Sequence, residues 1–346
     1  MIENTQQFTQ RKQEHIRLAL DDSTQANGFS GLDSIQLIHE AIPDLDFSKV
    51  DISSQLFNQS IATPFLVSSM TAGHDAAVKI NETLAIACQQ RGWLMGVGSQ
   101  RRQLFENEAA KEWQAIRKLA PQAKLLGNIG LTQLILTPSA QIQRLADSLA
   151  AEAMIVHTNP LQEVLQAEGT PHFKGSYQAI ERLCRELPIP IIIKETGCGF
   201  SKQTLLRLNN LGVSAVDISG FGGTHWGRIE GLRNEPQSQR FKAAQVFKNW
   251  GISTVQSLLD AVSLTPDYAI WASGGVRSGL DAAKLLALGA QVIGFAKPMM
   301  ESALQGIEAV LKQMELYEFE LKTALFCTGC KDIATLQENI VWQPSK

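Results

Sequence analysis

The sequence predicts an α/β fold, a (β/α)8 TIM barrel with an N-terminal extension and a C-terminal helical cap. Three observations carry that expectation. Eight short β-branched or apolar runs stop at glycine or polar residues, amphipathic helical stretches lie between most of them, and the span from Pro64 to Lys297 is close to the ~250 residues of such a barrel. Parallel neighbours need a crossover helix, so this alternation implies a parallel sheet closed on itself. A doubly wound sheet would need a Gly-x-Gly-x-x-Gly turn after its first strand, and Ser69-Met70-Thr71-Ala72-Gly73-His74 is not one.

Taken in chain order, residues 1–60 read as an N-terminal extension, with Ile35 to Ala41 a short helix or strand that Pro43 ends. Residues 61–346 read as a single barrel domain with its cap. The strand runs are Pro64–Ser69, Trp93–Gly98, Lys124–Ile129, Ala153–His157, Ile189–Lys194, Ala215–Ser219, Tyr268–Ser273 and Gln291–Ala296. Helical stretches include Asp75–Arg91, Pro138–Ala151, Lys202–Leu211 and Leu280–Gly289. In the last, Leu280, Ala283 and Ala287 fall at i, i+3, i+7 and predict the buried face, with Gly289 ending the helix. Gly220 to about Pro266 is longer than a βα unit requires; it is either a lid over the barrel mouth or an insert disordered around Asn234–Gln239. Residues 298–346 complete the last helix and the cap.

Hydrophobic residues make up 44% and charged ones 19%, which suits a packed core and excludes a disordered chain. With 31 Lys+Arg against 34 Asp+Glu, no general attraction to nucleic acid or to an acidic membrane is expected, so an anionic ligand needs a local site. Met1 to Glu14 holds no secretory signal and no run reaches the ~18 apolar residues of a membrane span, so a cytoplasmic enzyme is expected. The five cysteines are odd in number and scattered, as in a reducing compartment. Cys327 and Cys330 have no partner pair nearby for zinc and read as small residues near a helix start.

Barrel active sites form where strands finish, and these ends are polar: Ser69-Met70-Thr71, Ser99-Gln100-Arg101, Asn128, His157 with Asn159, Lys194-Glu195, Ser219-Gly220, Ser273-Gly274-Gly275 and Ala296-Lys297. That is the lining for a large polar cofactor. Gly274 and Gly275 lead from the seventh strand into a helix, the usual place of a barrel phosphate site, where Arg277 adds charge; the bland alternative is a tight turn. Lys194 leaves an apolar strand, either to neutralise an electron-rich ring, to form a Schiff base or to pair with Glu195. Glu163 is either a solvated loop acid or a Mg²⁺ ligand whose octahedron a diphosphate completes. Arg11-Lys12-Gln13-Glu14-His15 is either a solvated helix face or an arm clamping an anionic substrate.

Arg11 to His15, Ser69 to Gly73, Gly96-Val97-Gly98-Ser99-Gln100-Arg101, His157-Thr158-Asn159-Pro160-Leu161-Gln162-Glu163, Lys194 to Gly199, Gly222-Gly223-Thr224 and Ala272 to Arg277 follow in order. Together they resemble the type 2 isopentenyl diphosphate isomerases over residues 11 to about 335. Thr158, Ala72 and Cys198 depart from the usual family residues beside these positions. The resemblance implies an FMN-dependent isomerase of isoprenoid biosynthesis. Such an enzyme interconverts isopentenyl and dimethylallyl diphosphate, with reduced FMN, Mg²⁺, and NADPH or another reductant, as a homotetramer or homo-octamer. It implies FMN contacts at Ser69, Met70, Thr71, Ser99, Asn128, Lys194, Ser219, Thr224, Gly274, Gly275, Arg277, Ala296 and Lys297. Substrate contacts are implied at Arg11, Lys12, His15, Ser99, Arg101, His157, Asn159 and Gln162, with Mg²⁺ at Glu163 and Gln162, Lys194 and His157 catalytic.

Chemistry agrees with that expectation. Moving a double bond in an unactivated alkene needs a proton added at one carbon and removed at another, which no ordinary side chain does easily at pH 7. A reduced flavin offers the proton and an electron-rich face, so the barrel need only hold and orient. An FMN-dependent 2-hydroxy-acid oxidase is the alternative on the same barrel, but its one-carboxylate substrate leaves Arg11-Lys12 and Gln162-Glu163 without purpose. A nucleotide dehydrogenase of the IMP type would want a cysteine after the sixth strand, and Gly220 to Glu230 has none. A flavin-binding protein without catalysis is the reading from another class.

Overall fold

The computed structural model describes residues 5–57, 59–72, 75–339 and 341–345. Its eight central strands are β1 Phe65–Val67, β2 Leu94–Gly96, β3 Lys124–Gly130, β4 Ala153–Thr158, β5 Ile191–Glu195, β6 Ala215–Asp217, β7 Ala269–Ala272 and β8 Val292–Phe295. Each pairs in parallel with the next, and β8 returns to β1 through Ile293 and Phe65, closing the barrel. Several ladders stop short of the predicted runs. The released residues, among them Ser68, Ser69, Ser219 and Ser273, sit at the mouth with their polar groups toward one cavity.

Strand alternation sorts the core into two layers. Leu66, Leu94, Leu126, Ile155, Ile192 and Trp271 fill the barrel, and an antiparallel hairpin (Ser54–Leu56 with Gln59–Ile61) closes its floor with Leu56 and Ile61. Phe65, Val67, Met95, Ile193 and Phe295 face outward into the helical ring. The helix Asp75–Arg91 has its predicted bounds, whereas Ser139–Leu149, Lys202–Leu208 and Gly279–Ala287 are shorter than expected.

The predicted buried face of Gly279–Ala287 holds at Ala283 and Ala287 and is corrected at Leu280. Leu280 is 47% exposed, while Ala282, Ala283 and Leu286 are fully buried. Gly279 sets this rotation: a Cβ there would stand 2.3 Å from the Tyr317 carbonyl of the cap helix Ile307–Cys327, so the helix seats its glycine edge and turns Leu280 out. The long insert is ordered through Asn234–Gln239, forming the helices Trp226–Arg233 and Gln239–Val246, the second capped by Ser238 Oγ accepting from Phe241 N at 3.1 Å.

The N-terminal helix Thr5–Leu20 packs Leu18 and Ala19 against Ile229 of the insert and Met300. Ile35–Leu37 is a strand, pairing antiparallel with Trp342–Pro344 near the other end of the chain. Cys327 is the last residue of the long cap helix, and Cys330 lies near a helix start as expected, just ahead of Ile333–Glu338; both are free thiols. No helix among the described residues is long and apolar enough to cross a membrane.

Candidate active site

Strand register places three chemically active side chains at one level: His157 pairs with Lys194, and Lys194 with Asp217, across β4, β5 and β6. All three belong to the buried upper end of the barrel. Lys194 does not pair with Glu195. Its ammonium bonds to Asp217 Oδ2 and lies 2.9 Å from Ser273 Oγ, and Ser273 Oγ in turn donates to Asp217 Oδ1 at 2.8 Å. Alternation along β5 sends Glu195 to the outer side. There it accepts from Gly199 N at 3.1 Å and from Cys198 N, and burial pushes its carboxyl up to about 8.

His157 Nδ1 lies 2.8 Å from Asn128 Oδ1, and the Asn128 amide donates to Val97 O at 3.0 Å. That second bond fixes the carboxamide, so Nδ1 carries the proton and Nε2 is left as the acceptor. Burial lowers the His157 pKa to about 4, with Lys12 and Lys194 adding repulsion, so the ring is neutral at pH 7. Because the folded pKa is below the unfolded ~6.5, this stabilisation is complete above that pH and is lost as pH falls toward 4. The difference in urea-unfolding free energy between wild type and His157→Gln should therefore shrink by about 2–3 kcal/mol from pH 7 to pH 4. A pH-independent difference would show that His157 is not held neutral.

The arm is not a solvated face. Arg11 and His15 are each 6% exposed. His15 Nε2 is 2.9 Å from Glu230 Oε1, with its ring edge-on to Trp226 at 5.0 Å, and burial lowers its pKa to about 4 against the pull of that carboxylate. Glu230, fully buried on the insert, also accepts from Gln162 Nε2 at 3.2 Å and from Arg233 Nη1 at 2.6 Å. Gln166, in the amide orientation its neighbours satisfy, donates to Glu230 at 3.2 Å and accepts from Arg11 Nη1 at 2.9 Å. One acid thus ties the arm, the insert and the loop after β4 together. Reading the sequence missed Glu230 and Asp217, because single carboxylates carry no spacing signal; only the unusual insert hinted at the first.

Glu163 is partly withdrawn from solvent. Its Oε2 accepts from Thr170 N at 2.6 Å, and burial raises its pKa against the opposing effects of that bond, Arg101 and Arg11. Among the described residues no group of three His, Cys, Asp or Glu could hold a metal, so a cation beside Glu163 would need ligand oxygens and water to complete its shell.

At the opposite wall, Gly274 and Gly275 have φ of 101° and 83°. A Cβ on Gly274 would stand 2.2 Å from Gly220 O and one on Gly275 2.4 Å from Gly222 O, so the loops after β6 and β7 meet backbone to backbone. Arg277 Nη2 donates to Asn27 Oδ1 at 2.7 Å and Lys297 Nζ to Asp22 Oδ1 at 2.7 Å, which holds both cations from the N-terminal extension. Thr224 Oγ1 bonds to Gln25 of the same segment.

One cavity at the mouth gathers most of the expected positions: Ser69, Met70, Ser99, Asn128, Lys194, Ser219, Thr224, Gly274, Gly275, Arg277, Ala296 and Lys297 with Arg11, Lys12, His15, Arg101, His157, Gln162 and Glu163. Two positions lie elsewhere. Thr71 is buried and does not line it, its carbonyl accepting from Asn81 Nδ2 at 3.1 Å. Asn159 caps Pro160–Leu165 by accepting from Gln162 N at 2.9 Å, and it lines a second cavity of about 650 Å³ behind β4 and β5. The cap aims the helix that carries Gln162 and Glu163.

An FMN molecule fits this lining on one physical ground. Ser68 Oγ and Ser69 Oγ are buried on the cavity wall with no hydrogen-bond partner among the described residues, and such groups are costly unless a ligand satisfies them. Comparison with known proteins agrees. The FMN-dependent dehydrogenase family model matches residues 117–343. The isopentenyl-diphosphate delta-isomerase of Legionella pneumophila (strain Paris) is 55% identical over 96% of this chain and 97% of its own. That of Bdellovibrio bacteriovorus is 54% identical over 99% and 100%, and that of Oceanobacillus iheyensis 38% identical over 95% of both. Among solved structures, the flavin-binding domain of baker's yeast flavocytochrome b2 shares the fold with a TM-score of 0.69 at 18% identity, covering 98% of this chain and 84% of that one. An active chimera of (S)-mandelate dehydrogenase does so with a TM-score of 0.69 at 14% identity over both whole chains. On the near-full-length identities, the chain belongs to the FMN-dependent, type 2 isopentenyl-diphosphate delta-isomerase family.

Proposed function

We propose that the chain interconverts isopentenyl diphosphate and dimethylallyl diphosphate, using Mg²⁺ and FMN kept reduced by NADPH or another reductant. The cytoplasm and a homotetrameric or homo-octameric assembly belong to the same reading. The observation that carries it is the single cavity in which Arg11, Lys12, Arg101, Gln162 and Glu163 stand together with Lys194 and the Gly274-Gly275 turn. Reduced FMN, when bound, supplies the exchangeable proton and the electron-rich face that the double-bond shift needs. Ser68, Ser69, Asn128, Lys194 and the loops after β6 and β7 would hold it.

The remaining chemistry is binding and orientation. Arg11, Lys12 and Arg101 offer charge-assisted hydrogen bonds to a diphosphate, and Glu163 offers one carboxylate to the cation that the diphosphate chelates. Neutral His157 presents Nε2 as an acceptor without adding charge beside the alkene. Glu230 holds the Gln162 carboxamide at the cavity wall, where it can pass a proton only as a hydrogen-bonded relay.

The test is anaerobic turnover of isopentenyl diphosphate by protein loaded with reduced FMN, with wild type beside an Arg11→Ala, Lys12→Ala double variant. Wild type should form dimethylallyl diphosphate. The variant should keep its FMN but show a KM raised tenfold or more, since each lost charge-assisted bond costs about 1.5–3 kcal/mol. Unaltered kinetics in the variant would remove the arm from substrate binding, and no product from FMN-loaded wild type would end the assignment.

A further inference from the structure

Asp217 has no place in the proposed reaction, yet it is the most completely satisfied acid beside Lys194. It is 1% exposed and Lys194 5%. Oδ2 takes the ammonium, while Oδ1 accepts from Ser273 Oγ at 2.8 Å and from Ser219 N at 3.2 Å. Ser273 Oγ closes the ring by lying 2.9 Å from Lys194 Nζ. Two of the three ammonium protons are therefore spent inside the protein, and one is left for a ligand.

The geometry points to Asp217 as a positioning residue that tunes the flavin through Lys194, an inference resting on the reading that FMN binds beside this lysine. An unpaired buried ammonium would favour the negative charge a flavin gains on reduction and so favour tight holding of the reduced form. Paired with Asp217, the unit has no net charge, so the ring meets one directed N–H instead of a full positive charge. The reduced flavin is then stabilised less and stays a better proton carrier. Register supports the assignment, since Lys194 and Asp217 are direct neighbours on β5 and β6 and the pairing needs no side-chain rearrangement.

The test is the two-electron midpoint potential of bound FMN in the holoenzyme, measured for wild type and Asp217→Asn, with FMN content measured in parallel. Asp217→Asn removes the carboxylate and should raise the preference for reduced over oxidised FMN tenfold or more, about 30 mV for this couple. Should the unpaired ammonium unfold that variant, the double variant Lys194→Met, Asp217→Asn, which buries no charge at the site, decides. A preference within tenfold of wild type supports the offset, and a fall of tenfold or more means that Lys194 acts uncompensated and overturns it. An unchanged or lowered potential in a folded Asp217→Asn overturns it as well. Wild type that takes up no FMN removes the inference together with the reading beneath it, whereas an FMN-loaded, folded Asp217→Asn with an unmoved potential removes the inference alone.

Discussion

Glu163→Gln should reduce isomerisation at least a hundredfold at a fixed, limiting Mg²⁺ concentration, a loss of about 2.7 kcal/mol in transition-state stabilisation, while FMN content stays unchanged. The substitution keeps the shape and keeps an oxygen able to accept from Thr170 N, so folding stability should move by no more than about 0.5 kcal/mol. What disappears is the charge. Of the residues proposed to hold the metal, Glu163 is the only carboxylate, and amide oxygens bind Mg²⁺ far more weakly. Initial rates across a Mg²⁺ titration for both proteins would decide the point, and overlapping curves would exclude Glu163 as a ligand. Because burial raises the Glu163 pKa, protons compete with the metal there, and wild type should need more Mg²⁺ as the pH is lowered.

Lys194→Met should cost about 3–5 kcal/mol of stability, because it strands the Asp217 carboxylate in the barrel without its cation. FMN affinity should fall with it, since an uncompensated anion would face an anionic ligand. The double variant Lys194→Met, Asp217→Asn should regain most of the stability, as replacing both members of a buried pair is often neutral, and should recover part of the FMN uptake. Urea unfolding and fluorescence titration with FMN across the four proteins of this cycle measure both effects. Additive losses would show that the two side chains do not act as a pair.

The barrel was legible in the chain because strands buried on both faces read as short apolar runs, and this sequence punctuates each with polar residues at its C-terminal end. Strand order and most of the cavity wall followed, since parallel connection brings those ends together whatever the helices do. Motif resemblance named the residues on the wall without locating them. Tertiary structure alone decided three matters. It paired Lys194 with Asp217 instead of the adjacent Glu195, because neighbours along a strand point to opposite faces while register partners on adjacent strands share one. It turned Leu280 outward, because the close approach of two helices at Gly279 outweighs the hydrophobicity of one residue. It buried the arm on Glu230, joining positions 215 residues apart. A carboxylate's meaning depends on which cations and amides reach it, and contacts between distant segments leave no periodicity for a single sequence to display.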